Sequence, residues 1–373
     1  MDRESQFLFV TCQVGAEAAV KGEFARRWPD FRFAYSRPGF LTFKLPGQPA
    51  LADDFDPQSV FARATGFTLG KVKGTNQEEL ARAAWQLAEG RSFARLHVWQ
   101  RDLRAAGDHG YEPAASDAAA SARAALLSTV PARAVVMSRA DAIAKPGDLV
   151  LNCVLASSDE WWLGFHRARL GPSCRAGGLD DLVLPENAIS RAYLKMAEAL
   201  DWSRLPIAAG QQFVELGCAP GGSCQLLLER GLLVTGIDPA AMHADVLAQK
   251  NFTHLRKRAS DVRRREFRKT RWLAADMNVA PDYTLDAVEA IVTHPEVHVE
   301  GLLLTLKLLD WELAAGVPDY LARIESWGYP RVAARQLQHG RQEICVAAVR
   351  PARRHGRGGW QVAQAKRRDS NDW

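Results

Sequence analysis

The chain has 373 residues, 47% of them hydrophobic and 24% charged, with a formal net charge of +5 at pH 7. That length holds two or three domains with separate cores, and the composition is ordinary for a soluble globular protein. No apolar run approaches the ~20 residues that a membrane span requires, and the acidic start MDRESQFLFV is too short for a secretory leader, so a cytoplasmic chain with no membrane partner is expected.

The first 45 residues read as a strand (Phe7 to Cys12), a break at Gly15, a helix over about Ala16–Trp28, and a strand pair across Arg37-Pro38-Gly39. This is a small α+β unit, placed at 1–60, that buries little alone. The α+β style continues through 61–170. Phe67–Val72 and Phe93–Gln100 read as strands and Asn76–Glu89 and Ala115–Leu127 as helices, followed by a hairpin of Leu149–Ala156 and Trp161–Ala168. Arg169–Glu186 is rich in Gly, Pro and Asp and reads as a linker. From Ala188 strands and helices alternate as far as Arg350, which marks a change to α/β near residue 175 and a domain over 171–352. Residues 353–373 read as a basic, disordered tail.

Basic residues cluster in two places. Arg256-Lys257-Arg258, Arg263-Arg264-Arg265, Arg268-Lys269 and Arg271 form one run, and Arg353-Arg354, Arg357 and Lys366-Arg367-Arg368 lie in the tail. Such patches supply the sequence-independent attraction of a nucleic-acid binder, against the plainer reading of a solvated charged face. The six cysteines are scattered with no C-x-x-C pair, so neither a metal site nor a disulfide framework is expected.

The chemistry concentrates in FVELGCAPGGSCQLLLERGLLVTGIDP, from Phe213 to Pro239. It reads as a strand, a glycine turn, a helix, and a second strand that ends on Asp238. In such folds ligands bind at the carboxyl ends of the strands. A dinucleotide fingerprint needs glycine two positions after Gly217, where this chain has Ala219. A phosphate-gripping P-loop needs lysine after Gly222, where it has Ser223. What remains resembles the first motif of S-adenosylmethionine-dependent methyltransferases.

The whole chain resembles one family, the bacterial large-subunit ribosomal RNA 2′-O-ribose methyltransferases of the M type, within the FtsJ-like enzymes. The stretches that carry the resemblance are TCQVGAEAAVKGEF, VFARATGFTLGKV, AISRAYLKMAEAL, VELGCAPGGSCQLLLERG with GIDPAAM, AADM, LTLKL and ARQLQHGRQEICVAAVR. They span roughly residues 7–350. The resemblance implies an α/β fold: a Rossmann-like methyltransferase domain preceded by an α+β ferredoxin-like and THUMP-type RNA-binding region. It also implies S-adenosylmethionine as cofactor and ribosomal RNA as partner, with a cytidine near the peptidyl-transferase centre as target. A monomer is expected. Two departures stand out: Ser223 follows the turn where the family has an aromatic, and Leu308-Leu309 follows Lys307 where the family has Leu-Pro.

By the same resemblance the catalytic set is Lys195, Asp276, Lys307 and Glu343. The cofactor residues are Ser190, Gly217, Cys218, Ala219, Pro220, Gly221, Gly222, Asp238, Asp261 and Asp276. Asp238 matches the carboxylate that receives ribose hydroxyls, and Asp261 is placed near the adenine amino group. Lys307 has a physical case of its own, because a lysine inside the apolar strand Leu302–Leu309 needs a partner or a task. An ordinary lysine titrates near ~10.4 and is a poor base at neutral pH. Burial, and repulsion from Lys195 if the two converge, would free its lone pair for service as general base. His339 reads as a supporting residue. The rival readings are a non-catalytic RNA-binding protein on the same fold and, disfavoured by Ala219, a nicotinamide-dependent dehydrogenase.

Overall fold

The computed structural model describes residues 6–47, 50–109, 111, 116–131 and 143–351; the basic tail expected from residue 353 lies outside them. The N-terminal half runs β1 (Phe7–Thr11), α1 (Glu17–Arg27), β2 (Arg32–Arg37), β3 (Phe40–Lys44), β4 (Ala64–Lys73), α2 (Gln77–Leu87), β5 (Arg95–Gln100), α3 (Asp117–Ser128), β6 (Leu149–Ser157) and β7 (Glu160–Arg167). The C-terminal half continues with α4 (Ala192–Ser203), β8 (Gln212–Leu216), α5 (Gly222–Glu229), β9 (Leu233–Ile237), α6 (Ala244–Leu247), β10 (Phe252–Leu255) and β11 (Trp272–Ala275). It ends with α7 (Pro281–Val292), β12 (Gly301–Lys307), α8 (Val317–Ser326), β13 (Arg331–Arg335) and β14 (Glu343–Val349).

Local chemistry accounts for several boundaries. Asn76 caps α2 by accepting from the backbone N–H groups of Glu78 and Glu79, and Ser116 caps α3 through Ala119 N–H. Pro281 opens α7 at the position where its missing N–H costs nothing.

Each half builds one sheet. In the first the strand order is β2-β3-β1-β4-β7-β6-β5, so the segments on either side of residue 60 share a single seven-stranded sheet. All its pairings are antiparallel except β5 with β6. The second has the order β10-β9-β8-β11-β12-β14-β13, parallel from β10 to β12 and then closed by an antiparallel β12–β14–β13 edge. Sequence alternation foretold the parallel part but not that edge. The strand order reverses direction between β8 and β11, and such a crevice receives ligands. Residues 169–186 are a packed strap rather than a free linker. It turns through two 3-10 segments, Pro172–Cys174 and Ala176–Gly178, and Asp180 exchanges two hydrogen bonds with the Gln338 side chain.

Phe9 stands at the centre of the first sheet with Phe40, Trp99 and Val154 around it. It occupies the space left by two glycines. A Cβ at Gly66 would lie 2.7 Å from the Phe9 ring, and one at Gly164 would lie 2.5 Å from the Phe67 carbonyl oxygen. Gly164→Ala therefore forces main chain apart and is expected to destabilise the fold by about 1–3 kcal/mol. Denaturant unfolding of the full chain checks this.

Candidate functional site

β8 and β11 carry their side chains alternately to two faces. Val214 and Leu216 join the core under α7 and α8, while Phe213 and Glu215 face α4 and α5. Glu215 is therefore a carboxyl inside an apolar layer. The sequence marks it only as the acidic end of the strand before the glycine turn. In the structure both its oxygens are occupied by α5: Ser223 Oγ donates to one, and Cys224 Sγ donates to the other at 3.0 Å. Ser223, at the position where an aromatic was expected, is thus the polar partner that this carboxyl requires. Burial pushes Glu215 up to about 7.

The turn after β8 is held by its neighbours on three sides. Gly217 has φ 75, and a Cβ there would lie 2.7 Å from the Asp276 carbonyl oxygen. A Cβ at Gly222 would lie 2.2 Å from Ser190 Oγ. Both positions need glycine to let the segments bearing Asp276 and Ser190 close on the turn. Asp238, at the end of β9, accepts from Ala219 N–H at 3.1 Å and from Ala240 N–H at 2.8 Å. Each carboxylate oxygen keeps a further acceptor direction for a ribose hydroxyl. The Ala219–Pro220 peptide is cis, and Gly221 precedes α5 as its N-cap.

The remaining cofactor candidates divide. Ser190 Oγ is buried with no hydrogen-bond partner among the described residues, as a hydroxyl awaiting a ligand would be. Cys218 points its sulfur inward, 3.6 Å from Met242 Sδ, so only its backbone can face a ligand. Asp261 lies exposed in a 3-10 turn, Ala259–Asp261, where it accepts from Ser260 Oγ.

The four catalytic candidates meet. Lys195 Nζ lies 2.6 Å from Asp276 Oδ2 and 2.8 Å from Glu343 Oε1. Lys307 Nζ lies 2.8 Å from Asp276 Oδ1 and is in direct contact with Glu343 Oε2. The result is a closed ring of alternating charge, net neutral, with side-chain exposures between 7% and 23%. Four elements contribute: Lys195 from α4, Asp276 just after β11, and Lys307 and Glu343 as direct cross-strand partners in the β12–β14 register.

The repulsion between lysines that the sequence reading invoked is intercepted by the two carboxylates. Burial pulls Lys195 down, but Asp276 and Glu343 outweigh it and hold its ammonium above the ordinary lysine range. Burial pushes Asp276 up, yet Lys195 and Lys307 together hold it below the usual carboxylate value. Each ammonium has three N–H donors and gives two to the ring, leaving one direction free. A cavity of about 30 Å3 remains among Lys195, Asp276, Glu343, Glu215 and Thr305, the room of one water or one hydroxyl.

The loop before β14 is held by residues that the sequence reading did not single out. Glu198, buried on α4 one turn beyond Lys195, accepts from Gln338 N–H at 2.7 Å and His339 N–H at 3.0 Å. His339 is pushed down to about 4 by burial and by Arg191 and Arg63, which keeps its ring neutral at pH 7. Of this loop the sequence pointed only to His339, as a supporting residue. The basic run 256–271 splits. Arg256-Lys257-Arg258 follow the C-terminal end of β10, on the same end of the sheet as the ring, whereas Arg268 and Arg271 lead into β11 at the opposite end and pair with Glu296 and Glu300. Among the described residues no cluster of His, Cys, Asp and Glu could hold a metal, and no helix is long and apolar enough to cross a membrane.

Residues 188–314 match the model of the FtsJ-like methyltransferase family, so this part of the chain is similar to an FtsJ-like methyltransferase domain. Lys195, Asp276 and Lys307 fall inside the matched span and Glu343 beyond it. The curated relatives are more specific. The chain is 35% identical over 147 residues to the ribosomal RNA large subunit methyltransferase M of Azoarcus sp. (strain BH72), covering 37% of this chain and 39% of the relative. It is 32% identical over 188 residues to the protein of that name from Alkalilimnicola ehrlichii, covering 47% and 49%. It is 33% identical over 184 residues to that of Halorhodospira halophila, covering 48% and 52%. The chain thus spans about half the length of the curated relatives it matches.

Glu215 gives this site a pH signature. Its folded pKa, about 7, stands above the ~4.3 of a free glutamate. The folded state therefore holds a proton that the unfolded chain has lost between those values, and the group's contribution declines as pH rises through that window. Glu215→Gln does not titrate. Its stability relative to the parent chain is expected to improve from pH about 4.5 to about 7 and then level off, as thermal melts across that range would show.

Proposed function

We propose that this protein is an S-adenosylmethionine-dependent RNA ribose 2′-O-methyltransferase acting on large-subunit ribosomal RNA, with a cytidine as target nucleoside. The observation that carries this reading is the closed Lys195–Asp276–Lys307–Glu343 ring beside the glycine turn. The names of the matched relatives point to the same substrate.

Ribose methylation needs a hydroxyl held in line, a proton acceptor, and no metal. S-adenosylmethionine supplies an electrophilic methyl group on a sulfonium sulfur. The turn Gly217–Gly222 with Ser190 and Asp238 would hold it. The small cavity lined by Lys195, Asp276 and Glu343 is sized for one hydroxyl. Lys195, fixed between two carboxylates, stays an ammonium and orients the hydroxyl oxygen. Lys307 passes its own proton to Glu343, with which it is in contact, and its lone pair then accepts the hydroxyl proton. The hydroxyl oxygen, relieved of its proton by Lys307, would be the group to take the methyl, with the carbon–sulfur electron pair leaving on sulfur. Asp276 holds both lysines in register throughout.

RNA would approach across the N-terminal sheet and the Arg256–Arg258 edge, which lies on the ring's end of the second sheet. Backbone attraction of this kind is sequence-independent, so the target is selected by how a splayed-out nucleotide fits the cleft.

Lys307→Ala is expected to lower methyl transfer to ribosomal RNA by about 10²-fold or more, the range for a lost general base. S-adenosylhomocysteine affinity should stay within a few-fold. Wild-type turnover by the variant would end the proposed role of Lys307. Absence of 2′-O-methylcytidine in products of the parent chain would end the substrate assignment.

A further inference from the structure

We propose that the N-terminal half is a working part of the catalytic centre, and that Gln13 is the positioning residue through which it acts. Gln13 follows β1, 324 residues away in sequence from the loop it holds. Gln13 is 3% exposed and its side-chain nitrogen donates to two main-chain carbonyls, Leu337 at 2.9 Å and Gly340 at 3.0 Å. Its oxygen accepts from Gln336 Nε2 at 2.9 Å. Gln336 in turn donates its backbone N–H to the Val60 carbonyl at 2.8 Å. One buried amide thereby ties residues 336–340 to the N-terminal sheet.

The tie reaches the ring in a single step. Gly340 abuts Glu343, and a Cβ at Gly340 would stand 3.2 Å from both Cγ and Oε1 of that residue. Movement of Gly340 therefore moves the carboxylate that touches both lysines. The strand bearing Lys307 is steadied in parallel. It leads within four residues into the 3-10 segment Trp311–Gly316. The Trp311 indole nitrogen lies 3.3 Å from where a Cβ of Gly15 would be, and its ring meets Phe61 edge-on with centroids 6.2 Å apart. Both loops flanking the Lys307–Glu343 pair thus rest on the N-terminal half, whereas Lys195 and Asp276 are carried by α4 and β11. A displacement near 1 Å in such an array costs about 10²-fold in rate. Domain docking accordingly sets the reacting geometry, separately from any contact that the N-terminal half makes with RNA.

This inference rests on the reading of Lys307 and Glu343 as catalytic, and the test separates the two. Gln13→Met and Gln13→Glu would be made in the full-length chain. With Gln13→Met, kcat is expected to fall tenfold or more while KM for ribosomal RNA and affinity for S-adenosylhomocysteine stay within about twofold. Gln13→Glu places a carboxylate against two carbonyls at high pH, but regains a donor when protonated. Its kcat relative to the parent chain should therefore rise as pH falls, a trend that a merely structural role does not produce. Hydrogen exchange of amides 337–343 should quicken in both variants while amides of β8 and α5 do not change. That readout needs no turnover, so it tests the positioning even if the parent chain proves not to methylate RNA. Wild-type kcat in Gln13→Met, unchanged exchange at 337–343, or equal losses in kcat and cofactor affinity would each overturn the proposal. If Gln13→Met does not fold, Gln336→Leu removes the donor to the Gln13 oxygen and serves the same comparison.

Discussion

A lysine ammonium in a half-buried cleft is tolerated only when carboxylates surround it, and two such lysines need their carboxylates shared. The ring Lys195–Asp276–Lys307–Glu343 meets that constraint with each charge facing two of opposite sign. Removing any member leaves a partly buried charge uncompensated, a far larger penalty than losing a surface pair. The constraint also dictates architecture. A helix, a parallel strand end and two antiparallel strands must converge to within hydrogen-bond distance. The antiparallel closure of the second sheet is what places Lys307 and Glu343 opposite each other.

The glycine turn supports the ring as well as the candidate cofactor site. Gly217 lies against the main chain of Asp276, and Gly222 against Ser190, two residues before α4. A side chain at either position would push apart the segments that deliver Asp276 and Lys195. The same substitutions would therefore disturb cofactor and ring together, because one backbone approach supports both. Glu215 and Ser223 belong to this layer: the hydroxyl at 223 answers a carboxyl at 215, and neither residue makes sense without the other.

Much of the second sheet was legible because a parallel sheet alternates strictly with helices, and its apolar strands and glycine turn are local signals. The β13–β14 edge was not, since two strands joined by a loop carry no mark of which neighbour they will pair with. The ring residues could be named from a family pattern, but their mutual geometry could not, because the sequence does not show that two carboxylates lie between the lysines. That is why the expectation of mutual repulsion gave way. Asp261, expected near the adenine amino group, stands exposed in a 3-10 turn. Glu198, Gln13 and Gln336 were invisible for a simpler reason. Side-chain amides and carboxyls that bond distant groups have no periodicity, and the contacts Glu198–Gln338, Gln13–Leu337 and Gln336–Gln13 span 140, 324 and 323 residues of sequence.

The reach of Gln13 also bears on when the protein can begin to work. Chains emerge from the ribosome amino end first, at ~5–20 residues per second, and early domains fold as they appear. The N-terminal sheet can form while the rest is still being made, but its carboxamide has nothing to hold until the Leu337–Gly340 loop has been translated. Glu343 follows that loop, so three members of the charge ring wait for the fourth. A nascent chain therefore lacks the complete ring until residues 337–343 have been made, and the ring closes only when the two ends of the described chain meet.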